Sequence, residues 1–396
     1  MVRALARGTS GTAARRLRTR PGVALLLALT IVVVLTAFLS ELFFDTGMET
    51  RAVANFRDSD QAQALARSAF KAMEVALKTE SEQTLQFGTT QLNALLQVSA
   101  APFEEGLLTR MQVTSLDGLY NVNQLGQVRP GTSQDTLRWA LFRNAIAAIP
   151  LPNDAEGQPL PALSERQVAA LYSALVDWID ADDSEYVALG APGAERRAYG
   201  NDNPEYDIKN GPLDRLEEMR LVRGFAPAHL PWAEIEKRFT ALPAGVSTGG
   251  LIGEKLDVNL ATRNEIARFL TERAVDDAKV LEDASLGPAW KNVNSLAAGA
   301  DAIAAAIVPE GFQRPYFKDT TALQTALAAA GVSTQGSPVT ATTLNLVFST
   351  CSKYLRVQAT VDVHGTVSTL DALMQVTRPQ GCGPASSVQA LRITLR

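Results

Sequence analysis

Hydrophobic positions change their period several times along this chain, and each change marks a different element. The first 22 residues are polar and basic. Val23–Leu39 (VALLLALTIVVVLTAFL) then runs seventeen residues without a charge and is continued past Glu41 by Leu42, Phe43 and Phe44. As a helix rising 1.5 Å per residue, 23–44 would reach roughly 33 Å, about the thickness of a bilayer core. From Thr46 to Leu96 there is no proline, Gly47 and Gly88 are the only glycines, and apolar residues recur at Ala62, Leu65, Ala69, Met73, Ala76 and Leu77. That spacing predicts an amphipathic helix continuing directly from the membrane span.

Shorter periods follow. Arg110–Thr114 and Gly118–Val122 read as strands, and Asp117-Gly118 between them is a hairpin signal. From about Leu125 to Ser337 the pattern is helical. Ser164 with Gln167 and Thr262 with Glu265 form capping boxes, while Gly224 and Gly331 stand where C-terminal stops are expected. Beyond Pro338 the chain reads as strands again: Thr343–Ser349, Leu355–Val363, Thr366–Val376 after His364-Gly365, and Ser387–Leu395. The fold class this predicts is α+β: a transmembrane and stem helix, then an α/β domain with an antiparallel sheet interrupted by a large all-α insertion. The expected divisions are a leader at 1–22, a span at 23–44, stem and first strands at 45–124, the insertion at 125–337 and the last strands at 338–396.

Composition and charge narrow the function. A chain of 396 residues, 46% hydrophobic and 20% charged, has enough apolar material for packed cores. Residues 1–22 hold six arginines and no acid, so the remainder has 31 bases against 42 acids and a net charge of −11. Such a body is a poor partner for nucleic acid. Arginines before the span and acids after it put the N-terminus in the cytoplasm and the bulk of the chain across the membrane. Only His229 and His364 are histidines, far apart in sequence, which removes support for histidine-rich metal clusters and most hydrolase templates. Cys351 and Cys382 cannot build a four-thiolate site, but outside the cytoplasm they can form one disulfide. Trp139, Trp178, Trp232 and Trp290 are widely spaced among apolar neighbours and are expected in cores. Leu256–Leu270 (LDVNLATRNEIARFL) resembles the opening of a helix–hairpin–helix module, but the following TERAVDDAKVLED lacks the glycine and basic cluster that grip DNA.

The junction of leader and apolar run admits three readings: a plain signal anchor, a secretory signal cut after the apolar run, or a cut between Gly22 and Val23. The last resembles the class III leader of type IV prepilins and pseudopilins, which prepilin peptidase removes. Denser matches lie further on, in DWIDADD (Asp177–Asp183), GAE (Gly193–Glu195) and NGPLDRLEEMRLVRG (Asn210–Gly224), with YNVNQL (Tyr120–Leu125) and LDVNLAT (Leu256–Thr262) before helices. On these strings the chain resembles the minor pseudopilin K family of type II secretion systems. It departs from the family pattern in two places: the proline–tyrosine element is only Pro204-Glu205-Tyr206, and Glu217-Glu218-Met219-Arg220 stands for Ser-Glu-Leu-Arg.

The resemblance implies a non-enzymatic, single-pass inner-membrane protein, matured by prepilin peptidase and exposed in the periplasm. Its partners would be the I and J minor pseudopilins, packed along 23–96 at the tip of a pseudopilus that starts assembly and serves export across the outer membrane. Most pilins carry Glu as the fifth mature residue, where it neutralises a neighbour's N-terminal amine; here that position is Leu27, which suits a subunit with none above it. A minor pilin of a type IV pilus and a membrane-tethered periplasmic enzyme are the alternatives. Asp180, Asp182, Asp183 and Glu185 crowd the end of a helix, where acids oppose the macrodipole and one another and so invite a cation. Calcium suits irregular, oxygen-rich loops, and Ser184–Asn210 adds Glu195, Asn201, Asp202, Asn203 and Asp207. The family resemblance implies Asp182, Asp183, Glu195, Asn210 and Glu218 as ligands, although no EF-hand pattern is present.

Overall fold

The computed structural model describes residues 21–80, 107–127, 129–153, 156–200, 207–226, 228–243, 255–310, 314–334, 337–378 and 382–395. It divides into two compact units, Met1–Gln61 and Ala62–Arg396. Helix α1, Pro21–Thr79, runs through the boundary. In the first unit every described side chain from Val23 to Arg57 is exposed, including Leu26, Val34, Phe38 and Phe43. This is the one described helix long and apolar enough to cross a membrane. The expected stem beyond Glu80 falls outside the described residues.

In the second unit, the remaining turns of α1 bury Ala62, Ala66, Phe70, Met73, Ala76 and Leu77 against a sheet. The small residues at positions 62, 66 and 76 allow close approach, and the larger ones fill the space between. The sheet has four antiparallel strands in sequential order: β1 Leu107–Ser115, β2 Tyr354–Val363, β3 Thr366–Thr377 and β4 Ser387–Leu395. Along β2 burial alternates, with Val357, Ala359, Val361 and Val363 facing the helix. His364 and Gly365, both at positive φ, make the two-residue turn between β2 and β3 and fix Val363 opposite Thr366.

β1 pairs with β2 even though 238 residues separate Ser115 from Tyr354. The expected hairpin between β1 and 118–122 is therefore corrected. Gly118 does turn the chain, at φ +86, but the Asp117 carboxylate is taken by the backbone N–H groups of Lys353 (2.8 Å) and Tyr354 (3.0 Å). That clamp fastens the two ends of the insertion side by side, and Tyr120 N–H donates to Arg238 instead of to β1.

The helical block has two cores. The first is built on α2 (Ser133–Ala147) and α3 (Glu165–Ile179), and the second on α4 (Arg263–Glu272), α5 (Gly287–Ala298), α6 (Ala300–Ile307), α7 (Thr320–Ala329) and α8 (Ala341–Val347). Both capping boxes are present at Ser164 and Thr262. α8 replaces the expected strand over Thr343–Val347, leaving only Phe348–Ser349 as strand. Its threonines cap instead of pairing: Thr340 Oγ1 accepts from Thr343 N–H, and Leu344 and Val347 become buried. Trp139, Trp178 and Trp290 are buried, and Trp232 is half-buried beneath the Arg220 guanidinium at 4.3 Å.

The two VN strings do the same work in the two cores. Asn123 accepts from Leu213 N–H and donates to the carbonyls of Leu213 and Leu242; Asn259 accepts from Phe317 N–H and donates to those of Phe317 and Thr350. Beside each lies a two-residue parallel pair, Tyr120–Asn121 with Phe239–Thr240 and Leu256–Asp257 with Phe348–Ser349. One amide thus closes each subdomain by joining its first turn to its last.

Candidate functional site

The acidic segment begins at the end of α3, whose residues from Val168 to Ile179 are almost all buried. Two polar residues one turn apart break that apolar surface, and both serve the loop that follows. Ser173 Oγ accepts from Ala188 N–H and donates to the Ala191 carbonyl. Asp177 accepts from Tyr186 N–H at 2.7 Å on one oxygen and from Ala194 N–H at 2.6 Å on the other. Between these anchors Leu189 and Gly190, at positive φ, turn the short hairpin Val187–Ala188/Ala191–Pro192. Burial raises the Asp177 carboxyl to about 7 despite its two N–H donors, with Glu195 and Asp180 adding to the rise.

Gly193 is needed for this arrangement. A Cβ there would lie 2.0 Å from Asp177 Oδ2 and 2.9 Å from the Ser173 carbonyl, both held inside the structure. Gly193→Ala is expected to push the carboxylate off its donors and cost about 2–4 kcal/mol, measured by denaturant unfolding. Asp177→Asn at the same site should cost less, because one amide oxygen still accepts a bond.

The predicted ligands fall into two groups. Asp182, Asp183, Glu195 and Asn210 come together. Asp182 Oδ1 accepts from Ser184 N–H at 2.8 Å; Asn210, at φ +44, donates its amide N–H to Asp183 Oδ1 (3.2 Å) and to the Asp182 carbonyl (3.3 Å). Glu195 lies close enough to Asp183, Asp182 and Glu185 for their charges to raise its carboxyl, after burial, which is the larger cause. Glu218 is engaged elsewhere: Oε1 accepts from the N–H groups of Asp214 and Arg215, and Oε2 from Lys209 Nζ at 2.9 Å. Asp207 faces Arg196, at 3.8 Å, and Asn201, Asp202 and Asn203 lie outside the described residues.

Asp180, the cap residue of α3, belongs to the group, although the resemblance did not single it out. Burial, then the charges of Asp182 and Glu195, raise its carboxyl to about 7. Four buried oxygens in this small region have no hydrogen-bond donor: Asp180 Oδ1, both carboxylate oxygens of Glu195, and Asn210 Oδ1. Buried acceptors are seldom left so. Among the described residues no three acidic, histidine or cysteine side chains converge as a metal cluster by themselves. The donor-poor set is mixed, however, with an amide oxygen and a nearby main-chain carbonyl beside the carboxylates, and calcium takes all three kinds. Oxygen donors of the kinds a hard cation takes are therefore present, without a converged cluster of carboxylates among the described residues.

The remaining predicted sites are simpler. Gly22, Val23 and Leu27 lie in the first turns of α1, with Leu27 60% exposed. Cys351 and Cys382 form a disulfide with Cα atoms 5.3 Å apart, tying the entry to β2 to the segment before β4.

A long apolar helix and a four-stranded antiparallel sheet are the main features of this fold. Comparison makes this specific. Residues 118–244 match the model of the family described as type II secretion system (T2SS), protein K. The fold matches a chain in the crystal structure of the GspK-GspI-GspJ complex from the enterotoxigenic Escherichia coli Type 2 Secretion System, with a TM-score of 0.52 at 16% identity, covering 88% of this chain and 99% of that one. No curated protein sequence matches. The family match is confined to residues 118–244, and the likeness to the solved chain is one of fold.

Proposed function

We propose that the chain is the minor pseudopilin at the tip of a type II secretion pseudopilus, where it starts assembly with the I and J subunits and so supports protein export across the outer membrane. The observation that carries this reading is Leu27. In an otherwise pilin-like helix, the fifth residue after Gly22 offers no carboxylate to the amine of a subunit above, while the chain's own amine can still be received from below. The role needs no catalytic step: 23–44 anchors the chain in the inner membrane, the stem packs against I and J, and the helical block faces the periplasm.

Calcium fits this proposal as a structural ion held by Asp180, Asp182, Asp183, Glu195 and Asn210. When bound it would supply the charge that lets the buried carboxylates of Asp180 and Glu195 stay ionised, leaving Asp177 and Ser173 to hold the loop's shape.

Two experiments test the reading. Mass spectrometry of the membrane-extracted protein should find Val23 as the mature N-terminus; an intact leader in cells with active prepilin peptidase would contradict it. Deleting the gene should stop exoprotein release and a plasmid copy should restore it, whereas undiminished secretion by the deletion strain would overturn the role.

A further inference from the structure

A groove of about 510 Å3 runs along one face of α3, where Gln167, Ala170, Leu171 and Ala174 follow one another at helical spacing, and Pro192 and Ala228 complete its lining. An apolar ridge stands beside it. In the hairpin Val187–Ala188/Ala191–Pro192, Ala188 and Ala191 are buried, and Ser173 holds the backbone of both. Val187 lies directly across from Pro192, so the two share the outward face and Pro192 belongs to ridge and groove alike. Val187 is 55% exposed, and Leu189, in the turn, is 63% exposed.

The ridge does nothing for the fold that bears it. Leu189 sits at φ +47, where glycine or asparagine is at ease and leucine is not, and its side chain gains no burial in return. A strained, exposed leucine on a hairpin anchored from within is a contact held ready for another surface. The groove carries one charge of each sign, Arg223 and Glu185, both exposed. Among the described residues neither makes an ion pair.

We propose that two copies of this chain pair through this surface about a two-fold axis. A ridge beside a groove, with a cation and an anion on the same patch, is complementary to itself. The ridge of each copy enters the groove of the other, and each Arg223 meets the Glu185 of the second copy. A foreign apolar helix would fill the groove yet leave Val187 and Leu189 bare, whereas a second copy covers both. One groove and one hairpin from each copy make a small interface, so the pair dissociates in the micromolar range. The proposal concerns the chain on its own and does not rest on the pseudopilin reading.

The test is sedimentation velocity of the full chain in dodecyl maltoside micelles, at concentrations spanning about two decades around the micromolar range. The wild type should pass from monomer to dimer across that span. Leu189→Asn with Val187→Thr removes the ridge but keeps side chains suited to the turn and the strand, so association should weaken roughly tenfold with no fall in the melting midpoint. Arg223→Glu alone and Glu185→Arg alone each place like charges opposite one another twice in the pair, and each should weaken it roughly fivefold. Mixing these two single variants should restore association to the wild-type level, because the mixed pair regains both contacts of opposite sign. A chain that stays monomeric throughout, undiminished association of the Leu189→Asn/Val187→Thr variant, or single variants that stay apart when mixed would overturn the proposal.

Discussion

Chelation with EDTA is expected to lower the melting midpoint of the calcium-saturated protein by roughly 5 °C. A ligand present at 100 times its dissociation constant stabilises the native state by about 2.7 kcal/mol, and for a body of this size each kcal/mol moves the midpoint by roughly 2 °C. The sign of the pH dependence identifies the carboxylates responsible. Burial raises Asp180 to about 7, above its unfolded value. Without a cation, its neutral form gives stability that is full below about pH 4 and is lost as pH rises through about 7. A cation favours the ionised forms, so the EDTA deficit should be small at pH 5 and large at pH 8. Asp180→Asn with Glu195→Gln should abolish the calcium increment while raising the stability of the cation-free protein. Identical midpoints with calcium and EDTA at pH 8, with no bound metal by elemental analysis, would contradict the site.

Replacing both Cys351 and Cys382 by serine should cost about 3–4 kcal/mol, the loop-closure entropy expected for their separation of 31 residues. The bridge closes a loop holding β2 and β3, so its loss enlarges the unfolded ensemble without removing a sheet hydrogen bond. Guanidinium unfolding should show a lower midpoint. Two free thiols titrated in the denatured, unreduced wild-type protein would refute the bridge.

Much of this architecture is legible in the sequence because strong local signals agree with the tertiary fold. The uncharged run at 23–39, the capping boxes at Ser164 and Thr262, and the His364-Gly365 turn each carry a local mechanism that the structure keeps. Failures occur where a distant partner outbids a local preference. Asp117-Gly118 reads as a hairpin because sequence does not show that Lys353 and Tyr354 will claim the carboxylate. Thr343–Ser349 reads as a strand, yet Thr340 caps a helix that takes in Thr343–Val347.

The same limit applies to the acidic site. The crowding of Asp180, Asp182 and Asp183 is visible, but their division of labour depends on which oxygens find backbone donors. Glu218 is satisfied by Asp214, Arg215 and Lys209, whereas Asp180 and Glu195 are left with bare buried oxygens. Asp177 was readable only as part of an acidic string. The clue to its separate role was Ser173 one turn earlier on an apolar helix face, paired with a glycine ahead of Glu195.

The most direct measurement of the central claim is native mass spectrometry of the full chain co-expressed with I and J minor pseudopilins. The tip reading predicts a ternary complex released from the membrane in detergent, containing the chain with Val23 at its N-terminus and unable to add a further subunit above Leu27. A chain recovered alone, while I and J associate without it, would contradict the account.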